Sequence, residues 1–132
     1  MVVASAVAPA LAGCGTLDRD AVQTEIQNVA SAAAEGSLVA QGVEQDRTFR
    51  SFSVIRTAEL HKEAMNASAS LRETPAEAGL GASARQGADL GDRVAGLLER
   101  LHLRPTDHAV AHAVRLDLDH LAKQARDQAD QL

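Results

Sequence analysis

Aromatic side chains are nearly missing from this chain: it has no Trp, no Tyr and only two Phe, an aromatic content of 2%. Strand-rich domains use aromatic and β-branched residues to cover their pleated faces, so the shortage argues against a sheet. There is one cysteine, Cys14, and therefore no disulfide can form within the chain. Lysine is reduced to Lys62 and Lys123, and the eleven arginines are scattered singly through a chain of net charge −5. Phosphate backbones are bound by clustered cations, so nucleic acid is not an expected partner. No apolar run reaches the roughly 18 residues that suggest a membrane span. Catalytic signatures are missing as well. There is no Gly-x-Ser-x-Gly, no phosphate loop and no His-Glu-x-x-His, and no enzyme is expected.

What is present is helix-forming. Alanine supplies about a fifth of the residues, and Arg, Glu, Gln and Leu are abundant. The period agrees. Val22, Ile26, Val29, Ala33, Gly36, Ala40 and Val43 follow each other at alternating spacings of four and three, the seam of a helix that packs lengthwise on a neighbour. Thr16 or Asp18 can cap its start, and the helix is expected from about Leu17 to Gln45. A second seam runs through Phe49, Ser53, Thr57, Leu60, Ala64, Ala67 and Leu71. The two stripes fall out of phase around Asp46 to Thr48, where the chain must reverse. Thr74-Pro75-Ala76-Glu77 has the chemistry of a helix start, but Gly79 and Gly81 follow at once. The third helix is therefore expected near Leu80 to Ser83, with its seam on Leu80, Ala84, Gly87, Gly91, Val94, Leu98 and Leu101. After Pro105 and Thr106 a fourth helix carries Val110, Val114, Leu118, Leu121, Ala125 and Leu132 on one side.

Four helices of similar length with short connections predict an all-α, up-down-up-down four-helix bundle. A single amphipathic helix cannot bury its stripe alone. Gly87 and Gly91 fall on the third seam, where small residues predict close helix contact, and Gly96 adds a further helix-weakening residue. The gap beside Gly87 and Gly91 could also take an apolar ligand. Phe49 and Phe52 are expected to plug the far end of the core.

Histidine provides the only catalytic-looking inventory: His61, His102, His108, His112 and His120. His108 and His112, four apart on a helix, have the spacing of a metal pair. A reversal at Pro105 brings His102 toward them, at the bundle end that also holds Glu44 and Asp46. Counted at 100° per residue, however, His108 and His112 line up with Arg115 and Asp119 on a polar stripe turned away from Val114 and Leu121. Glu99-x-x-His102 and Asp117-x-x-His120 echo a di-iron pattern, yet they fall at different heights of the bundle. Surplus apolar residues lie off the seams. Leu38 and Val39 on the first helix match Val54 and Ile55 on the second in height, with Met65 further along, and together they form a candidate partner surface.

The N-terminus carries the most specific signal. Nothing before Asp18 is charged, and an aliphatic stretch from Val2 closes on Leu11-Ala12-Gly13-Cys14. This is the layout of an apolar export segment with a small-residue processing site. The tetrad resembles the lipobox of bacterial lipoproteins, in which Leu11, Ala12 and Gly13 are recognised and Cys14 receives lipid after cleavage before it. No Lys or Arg precedes Arg19, whereas export segments begin with basic residues, so the true start is expected upstream. The resemblance implies a signal segment over residues 1–13 and a lipid-anchored domain over 14–132, on the extracytoplasmic face of a bacterial membrane or envelope. No cofactor is expected beyond the covalent lipid. Membrane attachment is through the acyl chains, since the acidic domain is weakly repelled by anionic headgroups. The expected role is non-enzymatic: a helical scaffold or protein-interaction module with an envelope partner or a second copy of itself. The alternative is a metal-binding or metal-sensing lipoprotein using His102, His108 and His112.

Overall fold

The computed structural model describes residues 15–132 and consists of four helices: α1 (Arg19–Glu44), α2 (Arg50–Glu73), α3 (Gly81–Leu103) and α4 (His108–Asp130). Cross-links between side chains give their directions. Arg56 pairs with Glu35, Arg72 with Asp92, Gln128 with the Ser83 carbonyl, and Gln23 with the Ala129 carbonyl. Each neighbouring pair is therefore antiparallel, and the chain runs up, down, up and down. No helix among the described residues is long and apolar enough to cross a membrane.

The helices begin where the backbone amides find acceptors. Asp18 accepts from Ala21 N at 2.8 Å, and Asp107 accepts from Val110 N at 3.0 Å, the standard way of satisfying a helix's unpaired first donors. Thr74-Pro75-Ala76-Glu77 does not start a helix. Instead Leu17 N donates to Pro75 O at 2.7 Å and Glu77 N donates to Leu17 O at 2.9 Å, a short parallel bridge that straps the entry of α1 to the α2–α3 connection. The reversal after α1 falls at Gln45–Phe49, with Asp46 in the left-handed region at φ 53°; Asp tolerates that conformation better than most residues. Gly79, at φ 88°, does the same work before α3.

The core follows the sequence seams closely. Every expected seam residue of α1 and α3 is buried, as are Ser53 to Leu71 of α2 and Val114 to Ala125 of α4. Two pairs of helices lie closest, α1 against α4 and α2 against α3. α2 and α3 meet through Ala64 and Ser68 against Ala88 and Gly91, and α1 and α4 bury the small residues Ala30, Ala33, Ala40, Ala122 and Ala125. α1 also meets α3 across the centre, while α2 and α4 stay apart. A Cβ on Gly87 would stand 2.7 Å from Ile26 Cγ1 and 3.0 Å from Leu71 Cδ1. The space beside it is thus filled by this chain's own side chains, and no room is left there for an apolar ligand. Gly36 makes the equivalent notch under Leu98 and Leu118.

Three side chains depart from expectation. Val39 is buried, because α1 touches three helices and needs a wider apolar stripe than a single seam. Phe49 and Phe52 do not plug the core: they are 83% and 54% exposed. Phe49 is the residue before α2, and its extended backbone (φ −69°, ψ 143°) carries it off the helix. Phe52 precedes the buried Ser53 by one residue, about 100° around the helix.

The glycines yield a paired expectation. Nothing approaches a Cβ built on Gly96, whereas one on Gly91 would meet Ser68 Cβ at 3.0 Å and Ala64 O at 3.2 Å. Gly96→Ala should raise the unfolding free energy by about 0.5–1 kcal/mol through helix propensity. Gly91→Leu should lower it by about 1–3 kcal/mol through overpacking. Chemical denaturation followed by helical circular dichroism measures both, and a stabilising Gly91→Leu would refute the close α2–α3 approach.

Candidate functional site

The polar and apolar chemistry concentrates at the end of the bundle formed by the α1–α2 and α3–α4 connections, remote from residue 15. Here α4 reaches back to the last turn of α1. His108 Nε2 donates to Asp46 Oδ1 at 2.7 Å, and His112 Nδ1 donates to Glu44 Oε1 at 2.5 Å; a carboxylate can only accept, which fixes these nitrogens as the protonated ones. Arg115 Nε donates to Glu44 Oε2 at 2.7 Å and lies 3.7 Å from Asp119, which in turn accepts from the Ser37 hydroxyl. The row His108, His112, Arg115, Asp119 is the polar stripe its spacing describes, closed by Glu44 of α1 and Asp46 of the turn after it. Glu44 is held far below the usual carboxylate range, at about 2, first by the Arg115 hydrogen bond and then by that from His112.

His102 belongs elsewhere. Its Nδ1 lies 3.1 Å from both Thr57 Oγ1 and Val54 O, so it is bound to α2, on the side away from α4's acids and imidazoles. The three histidines singled out as a metal cluster are therefore divided between two helix interfaces. No three His, Cys, Asp or Glu residues converge to hold a metal among the described residues. His120 sits with Arg93, Leu97 and Asp117 along the open groove beside Gly96, so the two acid-x-x-His pairs face different neighbours. His61 is half-buried beside the α2 seam.

Two further ion networks brace the sides. Arg56 joins Glu35 and Glu59, and Arg72 joins Asp92 at 2.7 Å and Asp89 at 3.3 Å. Asp92 also accepts from Ser68, and both contacts keep its carboxyl below the ordinary range, Arg72 foremost. These networks bridge adjacent helices and enclose no cavity. The grooves that exist are shallow clefts between helices, such as one of about 430 Å³ lined by Gln27, Ala30, Ser31 and Arg126.

The apolar candidates divide as well. Leu38, Ile55 and Met65 are exposed, at 65%, 60% and 44%, Val54 is half-buried, and Val39 lies in the core. Sequence reasoning missed the strongest members of the set, Phe49 and Phe52, together with Leu103, 72% exposed at the end of α3. The signal was there for Phe52, which stands one residue off the seam. Leu11, Ala12, Gly13 and Cys14 lie outside the described residues. Comparison with known proteins adds no relative: no family model, curated protein or solved structure matches this chain.

The depressed Glu44 carboxyl makes the α1–α4 contact acid-sensitive. Its stabilisation is complete above the ordinary carboxylate value near 4.5 and is lost as pH falls toward about 2. Thermal melts of wild type and Glu44→Gln should therefore differ most at neutral pH, with wild type the more stable. The two should converge as the pH is lowered from about 5 to about 2. A constant gap across that range would mean the Arg115 and His112 contacts do not act through the Glu44 charge.

Proposed function

We propose that this chain is a lipid-anchored, non-enzymatic protein of the bacterial cell envelope, attached at the extracytoplasmic face through acyl chains on Cys14. It serves there as a helical scaffold or interaction module. The observation that carries the reading is the uncharged apolar stretch closing on Leu11-Ala12-Gly13-Cys14, followed at once by a domain whose first residues are already tied to its frame. A single acyl chain binds membranes only marginally, whereas two or more hold stably, so a diacylglyceryl cysteine of the kind the lipobox implies suffices for anchoring. Only Gly15 and Thr16 separate Cys14 from the Leu17 bridge, and the bundle would stand directly on the bilayer.

The remaining features suit contact better than chemistry. Polar clusters are consumed in helix–helix ties, and five exposed apolar residues, Leu38, Phe49, Phe52, Ile55 and Leu103, gather at the end opposite the anchor, with Met65 and Leu116 lying apart. Envelope proteins, a second copy of the chain or a lipid surface are the candidate partners for that end. Binding of a metal by His102, His108 and His112 draws no support from their division between α2 and α1.

Metabolic labelling with palmitate in a bacterial host, with the chain expressed behind a complete export leader, tests the anchor. Label should appear in the wild-type protein and in the membrane fraction, and Cys14→Ser should abolish both. An unlabelled wild-type protein that keeps a free thiol at Cys14 by mass spectrometry would end the proposal.

A further inference from the structure

The segment from Arg47 to Arg56 differs from the rest of the chain. It contains three arginines, both phenylalanines, Val54 and Ile55, and no acid, in a protein of net charge −5. Folding places it at the tip and along the first turns of α2. The Arg56–Glu35 pair fixes the register between α1 and α2. Leu38 is one turn beyond Glu35 and Phe52 one turn before Arg56, so the two share one height and one outward face. Ile55 stands three residues after Phe52 on the same ridge of α2, the spacing of neighbours along a helix, and Phe49 is the exposed residue just before that helix begins. Leu103 is at the same end, since its neighbour His102 is bonded to Val54 O.

The charges around this ridge are sorted. Arg47 and Arg50 are exposed and take part in no ion pair among the described residues, whereas Arg104 pairs with Asp107 at 3.7 Å. The nearby acids are engaged: Asp46 holds His108, Glu44 holds Arg115 and His112, Asp107 caps α4 and pairs with Arg104, and Glu35 and Glu59 hold Arg56. We infer that this tip is a binding site for an anionic lipid surface, with Phe49, Phe52, Ile55 and Leu38 entering the headgroup–acyl boundary and Arg47 and Arg50 pairing with phosphates. Apolar side chains flanked by arginine are the composition of interfacial membrane contacts, in which area burial and attraction to anionic lipids act together. A second copy fits less well. A two-fold contact would set Arg47 and Arg50 against their own images, and four side chains fall short of the roughly 800 Å² that each partner of a stable complex covers.

The inference rests on the interaction-module part of the proposed function and is independent of acylation. Its test therefore uses the full chain with Cys14→Ser throughout, which keeps the apolar leader constant in every arm. Co-sedimentation with vesicles reads binding in every arm, and because the chain has no Trp, Phe49→Trp in a separate arm supplies a single emission reporter of insertion. Vesicles of phosphatidylcholine alone are compared with vesicles containing about a third phosphatidylglycerol. The anionic vesicles should bind the chain about tenfold or more tightly, with a blue-shifted Trp emission, and the advantage should shrink at high salt. Arg47→Glu with Arg50→Glu should remove the preference for anionic lipid, and Phe49→Ser with Phe52→Ser should cut binding by about tenfold. All four positions are exposed, so helical circular dichroism should be unchanged. Equal binding to the two vesicle types overturns the inference, as does binding by both double variants at the wild-type level. A lipid-free dimer that Phe49→Ser with Phe52→Ser dissolves also overturns it, in favour of self-association. None of these outcomes bears on whether Cys14 carries lipid.

Discussion

Close approach of two helix pairs is the constraint on which the bundle depends. Where α2 meets α3, Ser68 Oγ donates to Ala88 O at 3.0 Å, a side chain bonding directly to the neighbouring helix's backbone. Such contact is possible only because the facing positions are Gly, Ala or Ser. The same holds between α1 and α4. With little side-chain bulk at these interfaces, the few large residues, among them Ile26, Leu98 and Leu118, must fill the remaining centre by lying over glycines. Interiors packed this closely respond to a single added carbon. The fold is thus made specific by shape rather than by a large apolar reserve.

The seams of α1 and α3 were legible because a half-buried helix must repeat at three and four residues, and nothing in those segments competes with that repeat. The turn at Asp46 was legible for the same reason, as a break in phase. Three features were not. Val39 lies off the α1 seam and is buried because α1 contacts three partners, a property of the assembled bundle. Phe49 lies on the α2 seam and is exposed because it is the residue at which the helix has not yet begun. The glycines after Thr74 to Glu77 argued against a helix start there, as the structure has it, but the strap from Leu17 to Pro75 and Glu77 joins residues more than fifty apart. The burial of Val39 and the Leu17 strap depend on contacts distant in sequence, which no local pattern encodes, whereas the exposure of Phe49 depends on where α2 begins.

The histidines illustrate the same limit at the candidate site. Spacing placed His108 and His112 on one polar stripe and at the height of Glu44 and Asp46, and the structure agrees. It could not say on which side of α3 His102 would fall, since that depends on how α3 rotates to meet Thr57 and Val54. The cationic, aromatic stretch from Arg47 to Arg56 was readable as composition from the start. Its importance emerges only once neighbouring acids are seen to be engaged with α4, leaving Arg47 and Arg50 outward.

The parallel bridge at Leu17 has a mechanical consequence. A domain hung from a flexible linker swings freely, and its far end samples every height. Here two backbone hydrogen bonds clamp Leu17 onto the α2–α3 connection, so traction applied at Leu17 is delivered straight into the frame. The rod then behaves as a short rigid post about 39 Å long, given by the 26 residues of α1 at 1.5 Å each, and a load taken up at Leu17 is carried to its far end.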